Sequence, residues 1–282
     1  MSYAFMKFSV NAAIVTAVMF LPNFGARSQM KNIAREVTAA DQPIRVLELR
    51  NYVTKPGQRD KFIEYFEANF IDSQNALGGY ILGQFTVEGA EDNFFWMRGF
   101  NDMASRSKYL PEFYRGAFWK QRRDYVNDML VNNDNVHLLK PLTLSEGHGD
   151  AAVSSNEFGN KKGLVVVDYY VANTRLKELT EFFRSKYLPF LKLNDVSTTP
   201  WVSELTENDF PGLPVFQDKN LLVTITPYRD EAEYRLKLRQ MSADTGRKLA
   251  DELREIVTTR TTLILHPASA ISGASKPSTV NT

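Results

Sequence analysis

The 282-residue chain contains no cysteine. Disulfides, thiol nucleophiles, iron–sulfur clusters and cysteine-based zinc sites are therefore excluded. Histidine is almost as scarce: the three residues His137, His148 and His266 match no zinc-binding spacing, so no metal and no cofactor is expected. Charge of one sign is not in excess either, since 34 Lys and Arg face 33 Asp and Glu. Such a balance supplies no general electrostatic reason to bind nucleic acid or an anionic membrane. A Gly-x-Ser-x-Gly elbow, a His-Glu-x-x-His pair and a phosphate loop are missing as well. Gly147-His148-Gly149 follows no strand and lacks the third glycine of a dinucleotide fingerprint, so it reads as linker.

Residues 1–26 contain no Asp, Glu or Arg, and their single Lys7 precedes a mostly apolar run from Phe8 to Leu21, followed by Pro22 and Gly25-Ala26. This pattern reads as a secretory signal peptide over 1–26. The run is shorter than the roughly 20 residues that span a bilayer. Export to the periplasm or the extracellular space is expected, with no stable membrane insertion after cleavage. The lack of arginine before Arg27 argues against a mitochondrial transit peptide.

Aromatic bulk is plentiful, with 19 Phe, 12 Tyr and 3 Trp. After a polar linker over 27–43, residues 44–53 read as a strand, and Lys55-Pro56-Gly57 as a turn. From Gln58 to Phe70, Phe62, Phe66 and Phe70 recur every four residues and share one helical face, a core stripe. Strands follow at 80–87 and 93–100. Asp102 caps a helix that is broken near Pro111 and runs to about Val131, where Asn132 to Asn135 stop it; 136–139 is a last short strand. Residues 143–162 form a Gly-, Ser- and Asn-rich linker. The same order then returns, with strands at 164–171, 201–206, 221–228 and 261–266 and helices at 175–193 and 230–258. The tail over 268–282 reads as disordered.

The expected fold is therefore α+β: two tandem ferredoxin-like βαββαβ units, 44–142 and 163–267. Each unit has helices on one sheet face and leaves the other bare. Packing the bare faces together gives an intrachain dimeric α/β barrel. One chain supplies both halves, so a monomer or a homodimer is expected.

Glu48-Leu49-Arg50-Asn51-Tyr52 followed by Lys55-Pro56-Gly57 resembles the opening of the NIPSNAP domain. Phe95-Trp96 through Phe100-Asn101-Asp102 with Ser105-Arg106, and the ending from Asn132 to Pro141 after Phe118-Trp119, resemble it too. The resemblance implies a dimeric α/β-barrel fold, a class that also holds small cofactor-independent monooxygenases and some haem-handling enzymes. It implies no catalytic residue set. The eukaryotic members look mitochondrial and are tied to vesicle trafficking and mitochondrial quality control; this N-terminus departs from theirs, and those roles are not carried over.

Alternation along the strands sends Leu47 and Leu49 one way and Glu48, Arg50 and Tyr52 the other. Placing the apolar set against the helices puts Glu48, Arg50, Tyr52, Trp96, Arg98, Asp168 and Tyr170 in the barrel lumen. There they either orient a small organic molecule, apolar or aromatic in part, or form buried ion pairs across the pseudo-twofold interface. His137 joins them as general base, proton shuttle or metal ligand, or is a partly buried structural histidine. The basic runs at 115–123 and 235–239 have acidic neighbours and read as solvated helix faces. Three functions follow: lumen binding, a cofactor-independent monooxygenase-like reaction in the same lumen, and an interaction module that uses the outer helices.

Overall fold

The computed structural model describes residues 42–143, 152–154, 163–208 and 210–268. The expected signal peptide, most of the two linkers, Gly147-His148-Gly149 and the tail from 269 lie outside the described residues. Within the described part of the central linker, Val153–Ser154 pairs antiparallel with Pro43–Ile44.

In the first half, strand β1 (Val46–Thr54) is followed by helix α1 (Arg59–Asn75), strands β2 (Tyr80–Val87) and β3 (Ala90–Phe100), helices α2 (Met103–Tyr114) and α3 (Ala117–Asp128), and strand β4 (Val136–Pro141). The second half runs β5 (Leu164–Ala172), α4 (Leu176–Phe182), a π-helical turn (Phe183–Tyr187), α5 (Leu188–Leu193), β6 (Thr199–Ser203), β7 (Leu221–Tyr228), α6 (Glu231–Met241), α7 (Asp244–Ile256) and β8 (Val257–Pro267). Two helix breaks differ from expectation. Pro111 sits inside α2, and the chain breaks instead at Gly116, the N-cap of α3. The second-half helix is divided at Ser242-Ala243, where a β-carbon on Gly246 would lie 1.7 Å from the Met241 carbonyl oxygen. Only glycine allows that approach.

Among the described residues, eight strands close an antiparallel barrel in the cyclic order β1-β3-β2-β8-β5-β7-β6-β4, and Leu130–Asn132 adds to β1 outside the ring. Within each half the fourth strand lies beside the first, the first beside the third and the third beside the second. The two seams between halves are β2–β8, pairing Val87 with Leu265, and β4–β6, pairing Leu139 with Ser203. Closure leaves no open edge in the ring.

Every barrel strand contributes to one apolar interior, which includes Leu47, Leu49, Phe85, Phe95, Met97, Leu139, Val165, Val167, Trp201, Val223, Ile225 and Leu265. It is tight: a β-carbon on Gly99 would fall 2.8 to 2.9 Å from Ile44 and Leu82 side-chain atoms. A second apolar layer lies outside the first-half strands, where Phe62, Phe66 and Phe70 of α1 and Tyr109, Leu110 and Phe113 of α2 cover Val46, Phe94, Trp96 and Phe100. A third and a fourth cover the second half. Among the described residues no helix is long and apolar enough to cross a membrane.

Phe95 is fully buried in the interior, so Phe95→Ala should lower the unfolding free energy by about 3–5 kcal/mol, read by chemical denaturation.

Candidate functional site

The barrel turns the nominated side chains, His137 excepted, outward against the helices. Leu47 and Leu49 belong to the interior, and Glu48, Arg50, Tyr52, Trp96 and Arg98 occupy the first-half sheet–helix layer. Asp168 and Tyr170 likewise lie on the helix side of β5, between the interior-facing Val167, Tyr169 and Val171. This corrects the lumen assignment. Both faces of β1, β5 and the second part of β3 are buried, so alternation separates two faces without saying which is inside. The interior offers only other strands, while the helices bring polar partners, and charge goes where partners are.

Those partners build one buried cluster. The Glu48 carboxylate accepts from Arg98 Nη2 at 2.5 Å, Arg98 Nε at 2.9 Å, Arg50 Nη1 at 2.7 Å and Arg106 Nε at 2.8 Å. All four side chains are fully shielded from solvent. Arg50 also donates to the Tyr52 hydroxyl at 2.9 and 2.7 Å. Arg98 Nη1 donates to Gln74 Oε1 at 2.9 Å and to the Tyr109 and Tyr114 hydroxyls at 3.2 Å. The Trp96 ring lies 5.0 Å from the Arg50 guanidinium and 5.3 Å from that of Arg98, a cation–π arrangement. Burial alone would raise the Glu48 carboxyl, but the combined pull of Arg98, Arg106 and Arg50 outweighs it and holds the group well below the usual carboxylate range. Burial pushes the Tyr52 and Tyr109 hydroxyls up, so both stay protonated.

Local sequence explains the convergence. Glu48 and Arg50 alternate with Leu47 and Leu49, and register sets Glu48 opposite Arg98 and Arg50 opposite Trp96. Helix α2 starts at a capping box, in which Ser105 N donates to Asp102 Oδ1 at 2.7 Å and Ser105 Oγ accepts from Asp102 N at 3.0 Å. That start phases Arg106, Tyr109 and Phe113 onto the buried face. The β6–β7 loop of the second half then lies over the first-half layer. Asn208 Oδ1 accepts from Arg106 Nη1 at 3.1 Å, and the Phe210 ring lies 6.0 Å from Tyr114. The loop is tied to β4 where Phe216 N donates to the Val136 carbonyl at 2.6 Å and Leu138 N to the Phe216 carbonyl at 3.2 Å.

The ion pairs of Glu48, Arg50, Arg98 and Asp168 form within each half and not between the halves. Asp168 accepts from Arg260 at 3.1 and 2.9 Å and from Thr262 Oγ1 at 2.5 Å. Tyr170 packs on Phe183. His137 stands opposite Leu49 on the interior face, separated from the cluster. Its ring lies 5.2 Å from Tyr169 and 5.4 Å from Phe216, with Nδ1 3.3 Å from Asp218 Oδ2. Burial lowers its proton affinity, and Asp218 offsets this only in part. No group of three or more His, Asp or Glu side chains converges as metal ligands among the described residues.

Gln74, Arg106, Tyr109, Tyr114 and Asn208 complete the cluster and were not among the nominated residues. An arginine at helical spacing with Tyr109 and Phe113 is the sequence signal that points to Arg106 and Tyr109; nothing local marks Asn208.

The family model for NIPSNAP matches residues 47–146. That stretch is a NIPSNAP domain. The NIPSNAP domain contains β1 to β4, and every member of the cluster except Asn208 comes from it. No curated protein matches the chain. Solved structures with a similar fold include a candidate monooxygenase from Lactobacillus acidophilus, 12% identical with a TM-score of 0.51 over 80% of this chain and 94% of that one. Another, from Fusobacterium nucleatum, is 11% identical with a TM-score of 0.52 over 80% and 93%. An anthrone oxidase-like protein is 11% identical with a TM-score of 0.51 over 86% and 98%. At these identities the likeness extends the fold beyond the NIPSNAP domain to the second half, and no further.

Glu48→Gln leaves three buried guanidiniums without a counter-charge and should cost about 3–5 kcal/mol of stability, measured by denaturant titration. His137, held below its ordinary value of 6.5, takes up its proton more readily when unfolded. Its contribution is therefore present above about pH 6.5 and is lost as pH falls through the depressed folded value. Melting temperature should fall from pH 7.5 to 5.5, and His137→Phe should flatten that slope.

Proposed function

We propose that this protein binds a small, partly aromatic organic molecule between the sheet and the helices of its NIPSNAP domain. The observation that carries this reading is the surroundings of Trp96. Its indole Nε1 is buried without a hydrogen-bond partner, in a setting that joins the Arg50 and Arg98 guanidiniums to the Phe66 and Tyr52 rings. A buried donor left unmet costs about 1–3 kcal/mol, a cost that a bound acceptor removes. Tyr52, Tyr109 and Tyr114 supply flat apolar walls with hydroxyl tips, the usual make-up of a small-molecule site. The nominated residues Glu48, Arg50, Tyr52, Trp96 and Arg98 keep their assignment to this ligand, relocated from the interior to the outer layer.

We also read the two halves as tandem copies of a ferredoxin-like unit, supported by their common strand order and by the identical burial pattern of β1 and β5. Export of the chain belongs to the same reading, supported by the apolar N-terminal run, and the protein acts as a monomer or a homodimer.

The second reading is a cofactor-independent monooxygenase-like enzyme, favoured by the barrel likeness to candidate monooxygenases and by cations that would stabilise a phenolate or enolate. The cluster is poorly equipped to take a proton from a substrate, because Glu48 is held anionic as a weak base and Tyr52 and Tyr109 are held protonated. Binding is therefore the stronger conclusion.

Protein purified from its own host should release a small aromatic compound in near-stoichiometric amount on denaturation, identified by mass spectrometry, and Trp96→Ala should carry at least about tenfold less. Equal loading of the two proteins, or no compound together with no thermal shift from a panel of phenols, quinols and aromatic acids, would remove the site. Oxygen consumption with the same panel separates the enzyme from the binder.

A further inference from the structure

Charge in the buried cluster does not balance. Among the described residues, three guanidiniums, those of Arg50, Arg98 and Arg106, surround a single carboxylate, that of Glu48, and all are excluded from water. Their remaining acceptors are neutral: the hydroxyls of Tyr52, Tyr109 and Tyr114 and the side-chain oxygens of Gln74 and Asn208. Neutral acceptors meet hydrogen bonds but leave the charge uncompensated, and a buried uncompensated cation is costly. The second half has no such surplus, for Asp168 meets Arg260 one to one.

The deficit is localised. Arg106 directs Nε to Glu48 and Nη1 to Asn208, while Nη2 is buried with no partner. A groove of about 660 Å3 runs along the β4–β6 seam; Arg106 itself is shielded from it, but the wall includes Val46, Met103 and Thr206, chain neighbours of the cluster residues. Val46 shares the outer face of β1 with Glu48, Met103 stands one helical turn before Arg106, and Thr206 precedes Asn208 by two residues. Arg45, Lys140, Lys177 and Arg184 also line the groove, against two carboxylates. Both carboxylates are already engaged, Asp102 as the cap of α2 and Glu204 with Thr206 N and Oγ1 at 2.8 and 2.9 Å. A groove with surplus positive charge raises the local concentration of anions.

We propose that the molecule bound by the NIPSNAP domain is a small aromatic carboxylate, that it enters along this seam groove, and that Arg106 binds its charged group. This rests on the binding reading above and adds the ligand's charge class and the residue that selects it. The carboxylate supplies one of the two missing counter-charges, and its two oxygens meet the fork of Arg106, whose planar donors suit a carboxylate. The rings then lie toward Trp96 and Tyr114. Asn208, reaching across from the second half, holds Arg106 in place without spending its charge, as an aspartate there would.

Naphthalene-2-carboxylate and naphthalene-2-carboxamide, alike in shape and different in charge, test this by isothermal titration. The carboxylate should bind wild type at least about tenfold more tightly than the carboxamide, the usual worth of a charge-assisted contact. Arg106→Gln should erase that preference and leave carboxamide affinity within about twofold. Asn208→Asp sits at a part-buried loop position and places a permanent carboxylate on Arg106. It should weaken the carboxylate probe about tenfold and raise the melting temperature, an answer that stands even if Arg106→Gln does not fold. Equal binding of the two probes, both lost in Trp96→Ala, would overturn the anion assignment while leaving the site in place. Binding of neither probe would remove the site, and this assignment with it.

Discussion

Closure of the strand ring governs everything else in this molecule. Strands that pair all the way around leave little face in water: apart from the exposed start of β8, the inner face meets the other strands and the outer face meets helices. Each strand must then bury its polar side chains as well as its apolar ones, and a buried polar group persists only where it finds partners. The interior is lined mainly by Leu, Val, Ile, Met, Phe and Trp and gives few. Helices α1 and α2, with Gln74, Arg106 and Tyr109, supply them on the outside.

The two halves answer that demand differently. In the second half an aspartate meets an arginine and two neighbouring threonines, Thr224 and Thr262, complete the strand surface. In the first half one carboxylate gathers three guanidiniums from two adjacent strands and a helix; tyrosine hydroxyls, Gln74 and Asn208 take further donors, and Arg106 Nη2 is left unmet. An arrangement of hydrophobic side chains of similar volume would fold as well or better. The NIPSNAP half thus carries a chemical commitment that folding does not require, and the proposed binding role rests on it.

Much of the architecture is legible in the residues. Alternation in Val46–Thr54, the four-residue recurrence of Phe62, Phe66 and Phe70, and the Asp102-to-Ser105 start of α2 each place an element close to its final bounds. The pairing of residue types, Glu48 with Arg98 and Arg50 with Trp96, is implicit once β1 and β3 are neighbours. What alternation does not encode is inside against outside, because both sides of a strand such as β1 are dry; Leu49 and Arg50 look equally suited to either. The reading that sent Arg50 and Arg98 inward fails for that reason. Helix ends are legible only in part: Pro111 looks like a break, yet the chain bends at Gly116, and the close approach that needs Gly246 depends on Met241 in three dimensions. Asn208 lies 102 residues beyond Arg106, its hydrogen-bond partner, and no local pattern announces it.

The β4–β6 seam and the β6–β7 loop tie the NIPSNAP domain to its sister half by a shared strand edge and by the cover that Asn208 and Phe210 place over Arg106 and Tyr114. A domain excised at the family boundary therefore parts with more than a neighbour. It exposes β2 and β4 as raw edges, opens the apolar interior along its whole length, and uncovers the roof of its own arginine cluster. In the intact chain the second half closes the ring, and the work is divided: one half holds the arginines and the other lends the loop that covers them.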